Sequence, residues 1–160
     1  MHVVAPPPIG LVRRARAADT AAVASLYAAL VANPALDVQP AQLAALAADS
    51  RCALFVFEQA GAVLGTVLVA LCADAMFGVR PFAVAENIVV AEAARGRGVG
   101  AALLREVERF CAAADCSKIM LLSATRRADA HAFFERRGYD GGAKRGFVKY
   151  RAAFDAGASR

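Results

Sequence analysis

Apolar positions along this chain alternate between helical spacing and short continuous runs, and each change of spacing marks a change of element. Leu11 to Ala15 reads as a first short strand. Asp19 or Thr20 then caps a helix with Val23, Leu26, Tyr27 and Leu30 on one face, the spacing that brings side chains together on a helix. Asn33-Pro34 ends it, because the residue before a proline is pushed out of the helical region. A second short helix starts near Pro40, a favoured first helical position, with Leu43 and Leu46 inward. CALFVFEQ (52–59), a turn at Ala60-Gly61 and AVLGTVLVALC (62–72) then predict a β-hairpin. After the loop ADAMFG, with Gly78 as its turn residue, VRPFAVAENIVV (79–90) reads as a long strand in which Pro81 makes a kink or bulge.

The second half continues the alternation. Val99 to Ala114 is a helix with Leu103, Leu104, Val107, Phe110 and Cys111 on one side. KIMLL (118–122) is uniformly apolar, the mark of a central strand buried on both faces. Asp129 to Arg137 is a helix carrying Ala130, Phe133 and Phe134, ended by Gly138. FVKYRAAF (147–154) follows the loop DGGAKRG as a last strand, with Tyr150 packed in it. Antiparallel strands come early and one β-α-β crossover spans 86–122, so the expectation is an α/β fold: a mixed sheet with helices on both faces. Residues 1–10, with Pro6 to Pro8 barring regular structure, are expected as a flexible leader, and 11–160 as a single domain without repeats.

Composition narrows the class. At 160 residues and 59% hydrophobic content, the chain is long and apolar enough for a proper core, which excludes a disordered chain. The richest stretch, AVLGTVLVALCADA (62–75), is interrupted by Gly65 and Asp74 and falls short of the roughly 18 residues of a membrane span. At the N-terminus the basic residues follow the apolar ones, the reverse of a secretory signal. The four cysteines show no metal-type spacing and no partner histidines, and are read as reduced core thiols of a cytoplasmic protein. The net charge of +5 is not gathered into one run, and three tyrosines without a tryptophan offer little for stacking bases. No nucleic-acid, membrane or metal partner is expected; a small polyanion fits the charge better.

The sharpest signal is AEAARGRGVGAALLREVERF (91–110). Three glycines and two arginines fill the six positions from Arg95 to Gly100, and a helix follows at once. A glycine costs roughly 1 kcal/mol inside a helix, so this density at a helix entrance needs a cause. The first turn holds no acidic residue, the earliest being Glu106. Helix N-termini favour negative charge. An empty first turn behind Arg95 and Arg97, with glycines baring the N–H groups, predicts a cradle for an external phosphate. A Walker loop is excluded, since Gly-Lys-Ser/Thr is missing. Gly96, Gly98 and Ala101 formally meet a dinucleotide fingerprint, but the next strand ends in Ser123-Ala124-Thr125 instead of an acid, and a hairpin precedes the motif.

ENIVVAEAARGRGVGAALL resembles the acetyl-CoA-binding motif of the GNAT N-acetyltransferase superfamily, with Arg95, Gly98 and Gly100 in its Arg/Gln-x-x-Gly-x-Gly/Ala positions. CSKIMLLSATRRADAHAFFERRGYD (116–140) is similar to the family's next strand and helix, with Ala130, Phe133, Phe134, Glu135, Gly138 and Tyr139 in register. The resemblance runs from about Leu11 to Phe154. It implies a mostly antiparallel mixed sheet of six to seven strands, acetyl-CoA as cosubstrate, and direct attack of an amine on the thioester in a ternary complex. Backbone groups of Arg97, Gly98, Val99 and Gly100 would hold the diphosphate, with the Arg95 side chain and Gly96 beside them. Backbone groups of Ile88, Val89 and Val90 would pair with the pantetheine arm, and Phe134 would lie beside the cosubstrate. A homodimer is common among similar proteins, and the hairpin or last strand offers an interface.

Direct transfer needs a base for the amine and a proton for the thiolate. Glu86 is the catalytic candidate: a lone carboxylate on an apolar strand, where many relatives carry one. Asn87 would point to the opposite face of a regular strand. At position 134 many relatives carry a tyrosine; this chain has Phe134, which has no proton to donate. Tyr139, Ser123, Thr125 and His131 are the nearby protic groups, each with a simpler structural role. Arg80 could hold an anionic substrate group or stand in solvent. The acceptor is expected to be a small-molecule amine, bound by the first two helices, the loop ADAMFGVRPF and the last strand region. The phrases C-x-KIMLL and H-x-F-x-E…GY resemble relatives of the glucosamine-6-phosphate N-acetyltransferase type. Phe134 leaves a second expectation, a CoA-binding module without turnover, and a protein lysine or N-terminal acetyltransferase is a third.

Overall fold

Strand Cys52–Gln59 sorts its residues onto two faces, and the rest of the sheet follows that division. In a computed structural model, which describes residues 9–155, five strands lie in the order β1 (Leu11–Arg14), β2 (Cys52–Gln59), β3 (Ala62–Cys72), β4 (Phe82–Val90) and β5 (Ile119–Leu121). All neighbours are antiparallel except β4 and β5, which pair in parallel. Ala53, Phe55 and Phe57 of β2 join Val67, Val69, Ala83 and Ala85 under helix α3 (Val99–Ala113). Leu54 and Val56 point the other way, into a second core with Val23 and Leu43 of helices α1 (Thr20–Leu30) and α2 (Pro40–Ala48). The sheet is therefore covered on both faces. Among the described residues no helix is long and apolar enough to cross a membrane.

Turn chemistry closes the hairpin where the sequence places it. Gln59 pairs with Ala62, and Ala60 (φ 49°) and Gly61 (φ 79°) both take left-handed conformations, the two-residue turn that matches strand twist. The start of α1 differs in detail from a capped helix. Asp19 precedes it but makes no capping bond. Its carboxylate receives both terminal nitrogens of Arg13, at 2.7 and 2.9 Å, and the Arg16 backbone N–H at 2.8 Å. Arg13 also donates to Glu58 at 2.7 Å. Arg14 donates from one nitrogen to the carbonyls of Leu46, Asp49 and Cys52, at 3.0, 2.9 and 3.0 Å. That side chain ties β1 to the end of α2 and the start of β2.

The described residues fall into two compact units, one through Leu121 and one from Leu122. In the second, α4 (Ala128–Arg136) buries Phe134 beside Phe133 and Tyr139, with ring centroids 5.4 and 6.2 Å away. Gly138 (φ 88°) follows in the left-handed region that commonly ends a helix.

Four expectations are corrected. The sheet has five strands among the described residues, not six or seven. The segment 147–154 forms no strand: it ends in a short helix, α5 (Arg151–Asp155), because Arg-Ala-Ala are good helix formers and Arg151 pairs with Asp155 one turn on, at 2.6 Å. Tyr150 is accordingly exposed instead of packed. β5 is a half-buried edge strand, not a central one; an apolar run reports hydrophobic surroundings without telling a centre from an edge. β4 begins at Phe82, so Pro81 precedes the strand without kinking it. Most of the leader, residues 1–8, lies outside the described residues.

Candidate active site

The turn between β4 and α3 is held at both ends and open in its middle. Ala94 and Val99 are each 2% exposed and anchor it in the core, while Arg95, Gly96, Arg97 and Gly98 are exposed. Gly96 (φ 71°) and Gly98 (φ 82°) sit in the left-handed region, where any other L residue is strained. Gly98 is the helix cap, makes no side-chain capping bond, and leads into a first turn without acid. A Cβ on Gly96 would meet nothing within 4 Å, so the space beside the turn is open. Arg95 donates to the Val90 carbonyl at 3.3 Å and Arg97 to the Gln59 side-chain carbonyl at 3.0 Å. Both acceptors are neutral, and among the described residues neither arginine makes an ion pair. Amides, helix dipole and two arginines together make a surface suited to an anion.

The strand entering this turn carries a bulge. Leu68 pairs with Glu86 and Thr66 with Val89, so the single Val67 faces both Asn87 and Ile88. Asn87 absorbs the extra residue with φ 54°. The consequence is a change of facing. Ala83, Ala85, Ile88 and Val90 lie on the α3 side of the sheet. Glu86 shares a face with its partner Leu68, on the α1–α2 side. Asn87 lies with it on that side, lining the same cleft as Leu68, and not on the opposite face that a regular strand would dictate. On the other edge of β4 the ladder to β5 stops at Ala85 and Leu121. From Glu86 to Val90 the strand has no further strand partner on that edge among the described residues.

Glu86 is half-buried. Burial pushes its carboxyl above the ordinary value, opposed by a hydrogen bond from the Asn87 backbone N–H. On the same sheet face a cleft of about 710 Å³ opens between α1, α2 and the sheet, reaching Leu68, the strand partner of Glu86, and Asn87, the residue after it. Leu54 and Leu68 line its sheet side, Leu30, Leu43 and Leu46 its helix side, and Tyr27 and Asn87 give it polar groups. Burial raises the Tyr27 hydroxyl, and a hydrogen bond from the Asn87 side chain opposes the rise. Sequence reasoning placed Tyr27 only on the apolar face of α1. The signal available was its hydroxyl, the one polar group in the stripe Val23, Leu26, Tyr27 and Leu30.

Other nominated residues are accounted for locally. Arg80 pairs with Asp115 at 3.0 Å on the surface. His131 Nε2 lies 3.0 Å from the Ala124 carbonyl, a local link seven residues back along the chain. Ser123 and Tyr139 are half-buried. Phe134 lies in the second unit and the glycine turn in the first. All four cysteines are free thiols, but only Cys111 is buried; Cys52, Cys72 and Cys116 are half-buried. Among the described residues no group of three His, Cys, Asp or Glu is placed to hold a metal ion.

Residues 21–139 match the sequence model of the acetyltransferase (GNAT) family. Solved structures agree in fold. A protein provisionally assigned as an acetyltransferase from Agrobacterium tumefaciens str. C58 is 31% identical, with a TM-score of 0.79 over 88% of this chain and 99% of its own. Glucosamine-6-phosphate N-acetyltransferase from Arabidopsis thaliana is similar in fold at 16% identity, with a TM-score of 0.77 over 90% of this chain and 99% of that one. The aminoglycoside N-acetyltransferase AAC(6')-Iy, solved with a bisubstrate analogue of CoA, gives 18% identity and a TM-score of 0.75 over 90% and 99%. No curated protein is significantly similar in sequence.

Proposed function

Because the chain belongs to the acetyltransferase (GNAT) family, we propose that it moves the acetyl group of acetyl-CoA onto the primary amine of a small molecule. One observation supports this most: the half-buried carboxylate of Glu86 shares a sheet face with an open cleft, and its strand runs directly into the bare glycine turn.

The residues fit the cosubstrate. Among the described residues no side chain caps the amides at the start of α3, and space stands open beside Gly96. Backbone N–H groups of Arg97 to Gly100 would hold its diphosphate, with Arg95 and Arg97 adding charge. The edge of β4 from Ile88 to Val90 would take its pantetheine arm. Bound there, acetyl-CoA supplies a thioester carbonyl with an acceptable leaving group. Glu86 takes the proton that the attacking amine must lose, and its raised pKa makes it the stronger base. The new bond joins amine nitrogen to acetyl carbon, the carbon–sulfur bond breaks, and the thiolate takes its proton from water.

Thiol release from acetyl-CoA, followed over a panel of small amines and a lysine peptide, tests the reading. Release with a small amine is expected. Tight CoA binding without release on any acceptor would make the chain a binding module. Release with the peptide alone would make it a protein acyltransferase.

A further inference from the structure

The cleft on the Glu86 face of the sheet has a lining that discriminates among amines. We infer that the acceptor is a primary amine on an uncharged, largely apolar body, an alkyl or arylalkyl amine, and neither a sugar phosphate nor a polyamine. This rests on the acetyl-transfer reading and adds the class of acceptor.

Leu30, Val31, Leu36, Val38 and Leu46 wall the cleft, and Leu68 lies at its sheet side. Among the described residues no arginine, lysine or histidine lines it. A phosphate or carboxylate group taken from water into such walls would lack the charged donors that recognise it. A polycation would need several carboxylates. The lining offers one, Asp37, which is exposed and accepts the Gln39 amide on both oxygens at 2.7 Å. At the sheet end stand Tyr27 and Asn87, the latter following Glu86 in β4. One amino head at that end and an apolar body along the leucines match the apolar walls, and Gln39 and Gln42 add neutral amides to the lining without adding charge. The volume, about 710 Å³, lies in the range of small-molecule sites.

The test compares kcat/KM for 2-phenylethylamine and n-hexylamine with that for glucosamine 6-phosphate and spermidine, at saturating acetyl-CoA. The two apolar amines are expected to lead by at least about 100-fold, since a buried mismatched polar group discriminates more strongly than a methylene. Val31→Asp, at a residue 44% exposed and therefore tolerant of change, and Leu36→Asp should each raise KM for 2-phenylethylamine about 10-fold, with KM for acetyl-CoA unmoved. A lead for glucosamine 6-phosphate or spermidine overturns the acceptor class and leaves acetyl transfer standing. Turnover of none of the four sinks acetyl transfer to small amines. Calorimetric titration of the same amines into the protein–CoA complex then decides the cleft separately: binding of 2-phenylethylamine that Val31→Asp weakens upholds its apolar preference, and binding of none overturns it.

Discussion

Gly65 of β3 lies directly beneath Val99, the first residue of α3: a Cβ on Gly65 would stand 2.9 Å from Val99 Cγ1 and 3.1 Å from both Leu103 Cδ1 and the Val89 carbonyl. The helix start rests on bare backbone, and this contact sets the height of the glycine turn above the sheet. Gly65→Val should displace the first turn of α3. Overpacking of this kind costs about 1–3 kcal/mol. Chemical denaturation should show that loss, and the KM for acetyl-CoA should rise about 10-fold if the displaced amides are its diphosphate site. A loss of stability with KM unchanged would separate the turn from cosubstrate binding.

Glu86→Gln separates chemistry from folding. A carboxyl whose folded pKa is raised above its unfolded value favours the neutral form, so its contribution to stability is present at low pH and lost as pH rises through the folded pKa. A neutral isostere removes that loss, and Tm at neutral pH should hold or rise. Turnover should drop at least about 100-fold. In the wild type, activity should climb with pH as Glu86 gives up its proton, and the variant should lack that limb. An unaltered rate would remove Glu86 from the base role.

Arg95→Ala combined with Arg97→Ala should weaken CoA more than it weakens S-acetylpantetheine, which carries no diphosphate. Hydrogen bonds to charged groups contribute about 1.5–3 kcal/mol each. A loss of 10- to 100-fold in CoA affinity is expected, shrinking as salt is added. Equal losses for both ligands would point instead to the structural bonds these side chains make with Val90 and Gln59.

Asp19 should govern acid stability. The Arg13 guanidinium holds its carboxyl below the ordinary value of 3.8, burial opposing. The linked stability is present above pH 3.8 and is lost as pH falls through the lower, folded pKa. Arg13→Met leaves a carboxylate that is 7% exposed without its partner and should cost on the order of 3 kcal/mol. Thermal melts across pH 2–7 would show the wild-type decline in acid and a flatter profile for Asp19→Asn.

Cys111 should resist alkylation in the folded protein. Burial pushes its thiol up to about 12, so almost no thiolate exists near neutrality. Mass spectrometry after brief iodoacetamide treatment should find Cys111 unmodified, and modified once the chain is unfolded.

What could be read from the chain alone is what depends on near neighbours in sequence. The apolar stripe of α3, the Pro40 start of α2, the Ala60-Gly61 turn and the acid-free glycine entrance are all local patterns, because helix period, turn conformation and dipole complementarity act over a few residues. The facing of Glu86 and Asn87 is different. It depends on Leu68 and Thr66 pairing across the sheet with one residue to spare, a registry that β4 cannot express by itself. The same holds for Arg14, whose three carbonyl acceptors lie 32, 35 and 38 residues away, and for 147–154, read as a strand, where local helix propensity and a pair one turn apart prevailed. Sequence alone determined that a glycine-rich, acid-free turn opens the long helix; only strand pairing decided which face of the sheet carries Glu86 and the cleft on that face.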